Sequence, residues 1–387
     1  MNREELMQEF RNRFHKEPAN IFFCPGRVNL IGEHIDYNGG RVMPVAISMG
    51  TWLAVSKNTD GIIRFYSLNF PESAELHLQS SYSKTGSAWF NYPLGVIDHL
   101  LQDGHTASGL DMLFYGNLPV AAGLSSSASI EMLTAFAMKE LFALNISRKE
   151  LAVMCKETEN RFIGVNCGIM DQFAVAMSKK HHALLLNCDT LEYEYIPFEA
   201  GGFSLVIIDT CKQRMLADSK YNERFAECGA ALRLFKKELP HVQNLCDISM
   251  ADFELYKDII SNPVLEKRAL HVISENQRVK DAALALQTGD LATFGKLLYA
   301  SHASLRYHYE VTGRELDTVI DFCRGYKDCL GARMTGAGFG GCAIALVKER
   351  TAGDFSNSLE SYYARAIGYP PKINFAEADE GVREIRF

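Results

Sequence analysis

A chain of 387 residues, 47% of them hydrophobic, carries enough apolar material for two packed domains and too much to stay disordered. Its net charge of −7 argues against a nucleic-acid surface, so an anionic ligand must be held by local donors and not by a basic face. Residues 1–10 are charged where a secretory signal is apolar, no run is long enough to span a bilayer, and ten cysteines lie singly without zinc spacing, so the expectation is a cytoplasmic protein with reduced thiols.

An amphipathic helix is expected over 4–14, and Ile21-Phe22-Phe23 opens a strand expected to turn at Pro25-Gly26. The next segment, 27–40, crowds Arg27, Glu33, His34 and Asp36 onto what reads as one loop, closed by the turn signal Asn38-Gly39 before strand resumes over 42–48. The plain reading is a solvated loop with local ion pairs. The sharper one is a pocket for a polyhydroxylated ligand, because loops on rigid scaffolds often carry function and carboxylates accept from sugar hydroxyls.

Strands are expected over 51–56, 62–66, 75–78 and 110–115, with a helix over 93–101. The stretch 116–130 then reads as strand, tight loop and the start of a helix reaching Ala143. Ala121, Ala122 and Gly123 let backbone N–H groups approach an anion, and Ser125, Ser126 and Ser127 meet the positive end of the helix dipole. A Ser-capped helix after a flexible loop is the alternative. Ser147 to Glu150 is a capping box opening a helix to about Arg161, with Glu159 near its end. In 164–172 Asp171 stands among apolar residues, two glycines and an amide, where a buried acid is paired, catalytic or a helix cap.

A polar hinge at 179–182 divides the chain into 1–180 and 181–387, and His181-His182 belongs to it, since no third ligand lies at helical spacing. Strands over 183–187 and 203–209 follow, then a helix from Ser219 to Leu239 stopped by Pro240, and apolar helical periodicity over 265–286 and 291–305. Helices and strands without regular alternation imply an α+β fold in two halves. Gly336, Gly338 and Gly341 satisfy G-x-G-x-x-G, but a strand over 343–347 follows where a dinucleotide site needs a helix. No protein-kinase or Walker A motif accompanies them, which leaves a glycine-rich turn whose backbone approaches a ligand or another loop.

Three of these stretches together resemble one family. Residues 25–40, Pro-Gly-Arg-Val-Asn-Leu-Ile-Gly-Glu-His-Ile-Asp-Tyr-Asn-Gly-Gly, look like the galactokinase sugar signature. Residues 119–129, centred on Gly-Leu-Ser-Ser-Ser-Ala-Ser, resemble the ATP phosphate loop of the wider GHMP kinase superfamily, and residues 334–342 its third motif. The resemblance implies a two-lobed GHMP kinase fold, 1–180 with the sugar signature and phosphate loop and 181–387 with the third motif, and an active site between the lobes. It implies transfer of the ATP γ-phosphoryl group to the anomeric hydroxyl of galactose, the first committed step of the Leloir pathway.

Carried over by position, the resemblance makes Asp171 the catalytic carboxylate with Arg27 its neighbour, and Glu33, His34, Asp36, Gly168 and Tyr221 the sugar contacts. It assigns Gly123, Leu124, Ser125, Ser126, Ser127 and Ala128 to the phosphates of ATP, and Ser126 and Glu159 to Mg²⁺. Galactose and ATP are the expected partners, with no nucleic acid and no membrane, and a monomer is expected, with a homodimer as the alternative. Ile35, Ala121-Ala122 and Ala337 depart from the family pattern without touching a proposed ligand. A relative acting on another sugar, another small-molecule kinase of the superfamily and a non-enzymatic sugar sensor are the competing readings. Cys167 reads either as a neighbour of the sugar or as an inert packed thiol.

Overall fold

The computed structural model describes residues 3–119, 123–198, 201–212 and 217–386, without the side chains of Ala217 and Asp218. Ala121 and Ala122, expected to help cradle an anion, lie outside the described residues. The chain opens with helix α1 (Arg3–Phe14) and runs through strands β1 (Asn20–Asn29), β2 (Arg41–Val42), β3 (Pro44–Asn58), β4 (Ile62–Ser67) and β5 (Ala74–His77). Helix α2 (Asn91–Gln102), strand β6 (Gly109–Gly116) and helices α3 (Ser126–Phe142), α4 (Arg148–Thr158) and α5 (Met170–Met177) follow. The later part holds β7 (His182–Asn187), β8 (Tyr193–Pro197), β9 (Phe203–Asp209) and helices α6 (Ala217–Phe235), α7 (Met250–Tyr256), α8 (Pro263–Gln287), α9 (Leu291–Ser304) and α10 (Arg314–Gly325). It closes with β10 (Cys329–Thr335), β11 (Cys342–Lys348), α11 (Ala352–Ile367), β12 (Lys372–Ala376) and β13 (Arg383–Glu384).

The strands form a six-stranded sheet in the order β13-β1-β3-β6-β4-β5, a four-stranded sheet β10-β11-β9-β12 and a three-stranded sheet β2-β7-β8. All pairings are antiparallel except β4 with β6. Helices and sheets are therefore mixed without a repeating βα unit, the α+β class expected from the sequence. The last short strand, β13, returns to pair with β1, so the two ends of the described chain share one sheet.

Three local expectations are corrected. The first strand does not turn at Pro25-Gly26 but continues to Asn29 through a register shift between those two residues. Proline donates no ladder hydrogen bond and is tolerated at a bulge, and any side chain at Gly26 would collide with the Leu124 carbonyl and the Leu118 side chain. Arg27 consequently sits on β1 and not on the loop with Glu33, His34 and Asp36. The two short strands expected over 42–48 and 51–56 are largely one, β3, of 15 residues. The helix opened by the Ser147–Glu150 capping box, which is present as expected, stops at Thr158 and widens into a π-turn, Glu159–Ile163, ending at left-handed Gly164. Such turns often mark functional positions.

The main core lies where α3 packs against β1 and β3, and it buries Met132, Leu133 and Phe136 with Phe22, Val28 and Leu53. At roughly 1.5–3 kcal/mol for each large side chain fully buried, this contact fixes the start of α3 beside β1. That juxtaposition builds the site.

Candidate active site

Beside the start of α3 lies a cleft of about 710 Å³, lined by residues from β1, the turn after it, α3, the π-turn, α5, α6 and the segment after β10. Its volume is in the range of ligand pockets. It brings together Arg27, Glu33, His34, Asp36, Gly168, Asp171 and Tyr221, together with Gly123, Ser125, Ser126, Ser127 and Glu159. Leu124 and Ala128 belong to the same loop and helix start, but their side chains are buried in the core.

At the centre, Arg27 grips Asp171 with two hydrogen bonds, Nε to Oδ1 at 2.9 Å and Nη2 to Oδ2 at 2.6 Å. Its Nη1 donates to the Gly123 carbonyl at 2.7 Å, and the Ser125 hydroxyl donates to Asp171 Oδ2 at 2.6 Å. Arg27 is 4% exposed and Asp171 28%, so the acid is open to the cleft and not buried as its neighbours in sequence suggested. Nor is Asp171 a helix cap: it lies in the first turn of α5, which has no side-chain cap. Planar bidentate geometry fixes the carboxylate more tightly than a lysine could.

The phosphate-loop stretch is stitched to β1. The Arg27 amide donates to the Leu124 carbonyl at 3.1 Å, and Ser125 adopts φ 61°, a left-handed conformation uncommon outside glycine. Strain of this kind persists where surrounding contacts over-determine it, here the bond to Asp171. Because Ser125 spends its side chain on Asp171, α3 has no side-chain N-cap. Its first-turn N–H groups lie at the positive end of a 17-residue helix whose Ser126 and Ser127 line the cleft, a setting that favours anions.

On the floor of the cleft Glu33 is 1% exposed and accepts from Asn29 Nδ2, the Gly336 amide and, at 3.2 Å, Arg333 Nη1. Burial pushes its carboxyl up, while Arg333, Arg27, Gly336 and Asn29 pull it back. Asp36 is pushed up to about 7 by burial and by the Asp171 charge. Any side chain at Gly168 would strike the Asp36 carboxylate, which explains the glycine there.

His34 has both ring nitrogens engaged, Nε2 with the Ala337 carbonyl at 3.2 Å and Nδ1 with Tyr37 Oη at 2.9 Å. A carbonyl only accepts, so Nε2 carries the proton and Nδ1 accepts from Tyr37. Burial lowers the imidazole to about 3, which keeps it neutral. Tyr221 places its ring centroid 5.6 Å from that of His34, tilted by 41°, and burial raises its phenol well above the usual range.

Glu159 is 7% exposed and lies beside Ser127 and Gln172, whose Nε2 donates to Oε2 at 2.6 Å; burial raises its carboxyl to about 7. Ser126, one turn-position earlier, is exposed to the cleft. Cys167 also lines the cleft, its thiol pushed up by burial and therefore a poor nucleophile.

Sequence reasoning missed Lys84, Ser87, Asn91 and Tyr92, which line the far wall, and Arg333, which stands behind Glu33. The wall residues carry no motif; only a polar, irregular run over 79–91 hinted at them. The third motif does meet another loop: a side chain at Gly336, φ 82°, would press on the Gly123 carbonyl.

A mixed α+β framework with a helix-start anion site, an arginine-held carboxylate and a glycine-rich turn closing the cleft defines a small-molecule kinase of the GHMP class. The GHMP kinases N-terminal domain model matches residues 91–179, the GHMP kinases C-terminal model residues 282–365 and the galactokinase galactose-binding signature residues 8–57. The chain belongs to the galactokinase family. It is 48% identical to a galactokinase of Clostridium acetobutylicum over 98% of both chains, and 46% identical to a galactokinase of Streptococcus thermophilus over the full length of both. The crystal structure of Lactococcus lactis galactokinase complexed with galactose superposes with a TM-score of 0.96 at 43% identity over 99% of each chain. A mevalonate kinase at 21% identity shares the fold, with a TM-score of 0.67 over 93% of this chain and 99% of its own.

Proposed function

We propose that this chain transfers the γ-phosphoryl group of ATP to the anomeric hydroxyl of galactose, giving galactose 1-phosphate and ADP. The observation that carries the reading is the Arg27–Asp171–Ser125 group, which stands where the sugar-signature turn and the start of α3 share one cleft. Phosphoryl transfer needs alignment and charge neutralisation more than covalent help. Asp171 orients the attacking hydroxyl and takes its proton; Arg27 holds Asp171 and stabilises charge on the transferring group.

Glu33, Asp36, the Gly168 backbone and Tyr221 hold the sugar hydroxyls, while His34, both nitrogens occupied within the protein, supplies a rigid neutral wall. The N–H groups of residues 123–128 take the phosphates of ATP. Among the described lining residues the cationic side chains are Arg27 and Lys84, and the first is already paired with Asp171, so a polyphosphate entering the cleft needs added positive charge. Ser126 and Glu159, both on the cleft lining, would hold Mg²⁺, which favours one or two protein oxygens plus phosphates and would supply the neutralising charge. Residues 1–180 supply the sugar turn and phosphate loop and 181–387 the third motif, although β2 with β7 and β13 with β1 pair across that division.

The test is ADP release with ATP and Mg²⁺ across galactose, glucose, N-acetylgalactosamine, arabinose and homoserine. Turnover confined to galactose and close 2-modified analogues is expected. Turnover only on another substrate overturns the sugar assignment, and galactose and ATP binding without any turnover overturns the enzyme. Asp171→Ala is expected to lower kcat by roughly 10²–10⁴-fold with ATP binding retained; a near-normal rate removes Asp171 from the mechanism.

A further inference from the structure

Among the described residues Arg333 is the largest fully buried side chain, at 0% exposure, and nothing in the reaction as described uses it. It stands on β10, immediately before the glycine-rich turn, and reaches into the turn after β1. Its Nη1 donates to the Asn29 carbonyl at 2.9 Å, the Leu30 carbonyl at 3.3 Å and Glu33 Oε2 at 3.2 Å, and its Nε donates to Ser301 Oγ at 3.2 Å. Ser301 in turn donates to Glu275 Oε1 at 2.5 Å, an oxygen that also accepts from the Gly32 amide at 3.0 Å. The Glu275 carboxylate is paired with Arg278 at 2.6 Å. A buried charged cluster on α8, α9 and β10 thus holds residues 29–33 from behind.

The consequence lies in how the lone pairs of Glu33 are shared. A carboxylate oxygen offers about two acceptor directions. Among the described residues, Oε2 receives both Asn29 and Arg333 and is saturated, whereas Oε1 receives only the Gly336 amide. One acceptor direction, on Oε1, is left for a group in the cleft.

We infer that Arg333 is a positioning residue for the sugar, acting through Glu33: by saturating Oε2 it turns Oε1 toward the cleft, so that the third motif serves the sugar side of the site. The inference rests on the sugar-contact reading of Glu33. An alternative in which Arg333 only braces the fold leaves substrate selectivity untouched, because a bracing defect lowers the active fraction without changing either KM. An alternative in which the third motif serves the nucleotide moves the ATP KM instead.

The experiment compares Arg333→Lys, Arg333→Met, Ser301→Ala, Glu33→Gln and the Glu33→Gln/Arg333→Lys double variant by steady-state kinetics with galactose and ATP, with melting curves alongside. Arg333→Lys keeps the charge but cannot reach four acceptors, and is expected to raise the galactose KM about tenfold or more, with the ATP KM changed less than about twofold. Ser301→Ala is expected to give a smaller rise of the same selectivity, and it carries the test if the Arg333 variants do not fold. In the Glu33→Gln background Arg333→Lys is expected to add less than about twofold, since both act on one contact. Equal rises in both KM values, unchanged KM values with a lower melting temperature, or multiplicative effects in the double variant overturn the inference. An unchanged galactose KM in Glu33→Gln alone overturns the sugar role of Glu33 itself, an outcome distinct from failure of the positioning step.

Discussion

Asp36 illustrates how far a single side chain's environment departs from what its type implies. Its carboxyl, raised to about 7 by burial and by the Asp171 charge, keeps a proton in the folded protein that the unfolded chain has released well below that pH. The folded state therefore binds more protons between about pH 4 and 7, and stability falls as pH rises through that window. Asp36→Asn is expected to flatten this decline and to raise the melting temperature of the ligand-free protein at pH 8, while abolishing galactose binding. Asp36 is partly open to the cleft, whose water screens the effect, so the gain is on the order of 1–2 kcal/mol. A melting curve of the variant that still declines in parallel with the parent across pH 5–8 would remove Asp36 as its source. The residue types at this site were legible in the sequence because a cluster of Arg, Glu, His and Asp beside a turn is rare without a purpose. Their states were not: the neutral His34 and the proton on Asp36 depend on neighbours contributed by segments up to 303 residues away.

At the scale of elements, capping and close approach separate two kinds of glycine and serine. Ser147 caps α4 by accepting from the Glu150 amide at 3.2 Å, far from the cleft. Ser147→Ala is expected to cost about 1 kcal/mol of stability and leave turnover unchanged. Gly336→Ala, which needs φ 82° and pushes a methyl group toward the Gly123 carbonyl, is expected to displace the phosphate loop and lower kcat/KM by about tenfold or more, because a small misplacement at a reacting group is costly. Comparable melting losses with opposite kinetic outcomes in the two variants check this. Long, periodic helices and the capping box were readable locally because their determinants lie within one or two turns. The continuation of β1 through Pro25-Gly26 and the π-turn at Glu159–Ile163 were not, since a bulge and a widened turn are set by what packs against them.

Over the whole molecule, the cleft is assembled from the turn after β1, the start of α3, the π-turn, α5, α6 and the residues after β10. Galactose at one hundred times its Kd is expected to stabilise the protein by about 2.7 kcal/mol, read as a rise in melting temperature, because it binds only the assembled state. No rise with galactose, alongside one with ATP, would set the sugar assignment aside. No helix among the described residues is long and apolar enough to cross a membrane. By itself the sequence determined the α+β class, the three motifs and the family, since each is written in local pattern or in a short run of residue types. Only the tertiary structure decided that Arg27 reaches Asp171 with two hydrogen bonds from a strand 144 residues away, that both ring nitrogens of His34 are engaged within the protein, and that Arg333 stands behind Glu33. Pairings across such separations leave no spacing to read, because chain folding and not sequence adjacency brings the partners within hydrogen-bond reach.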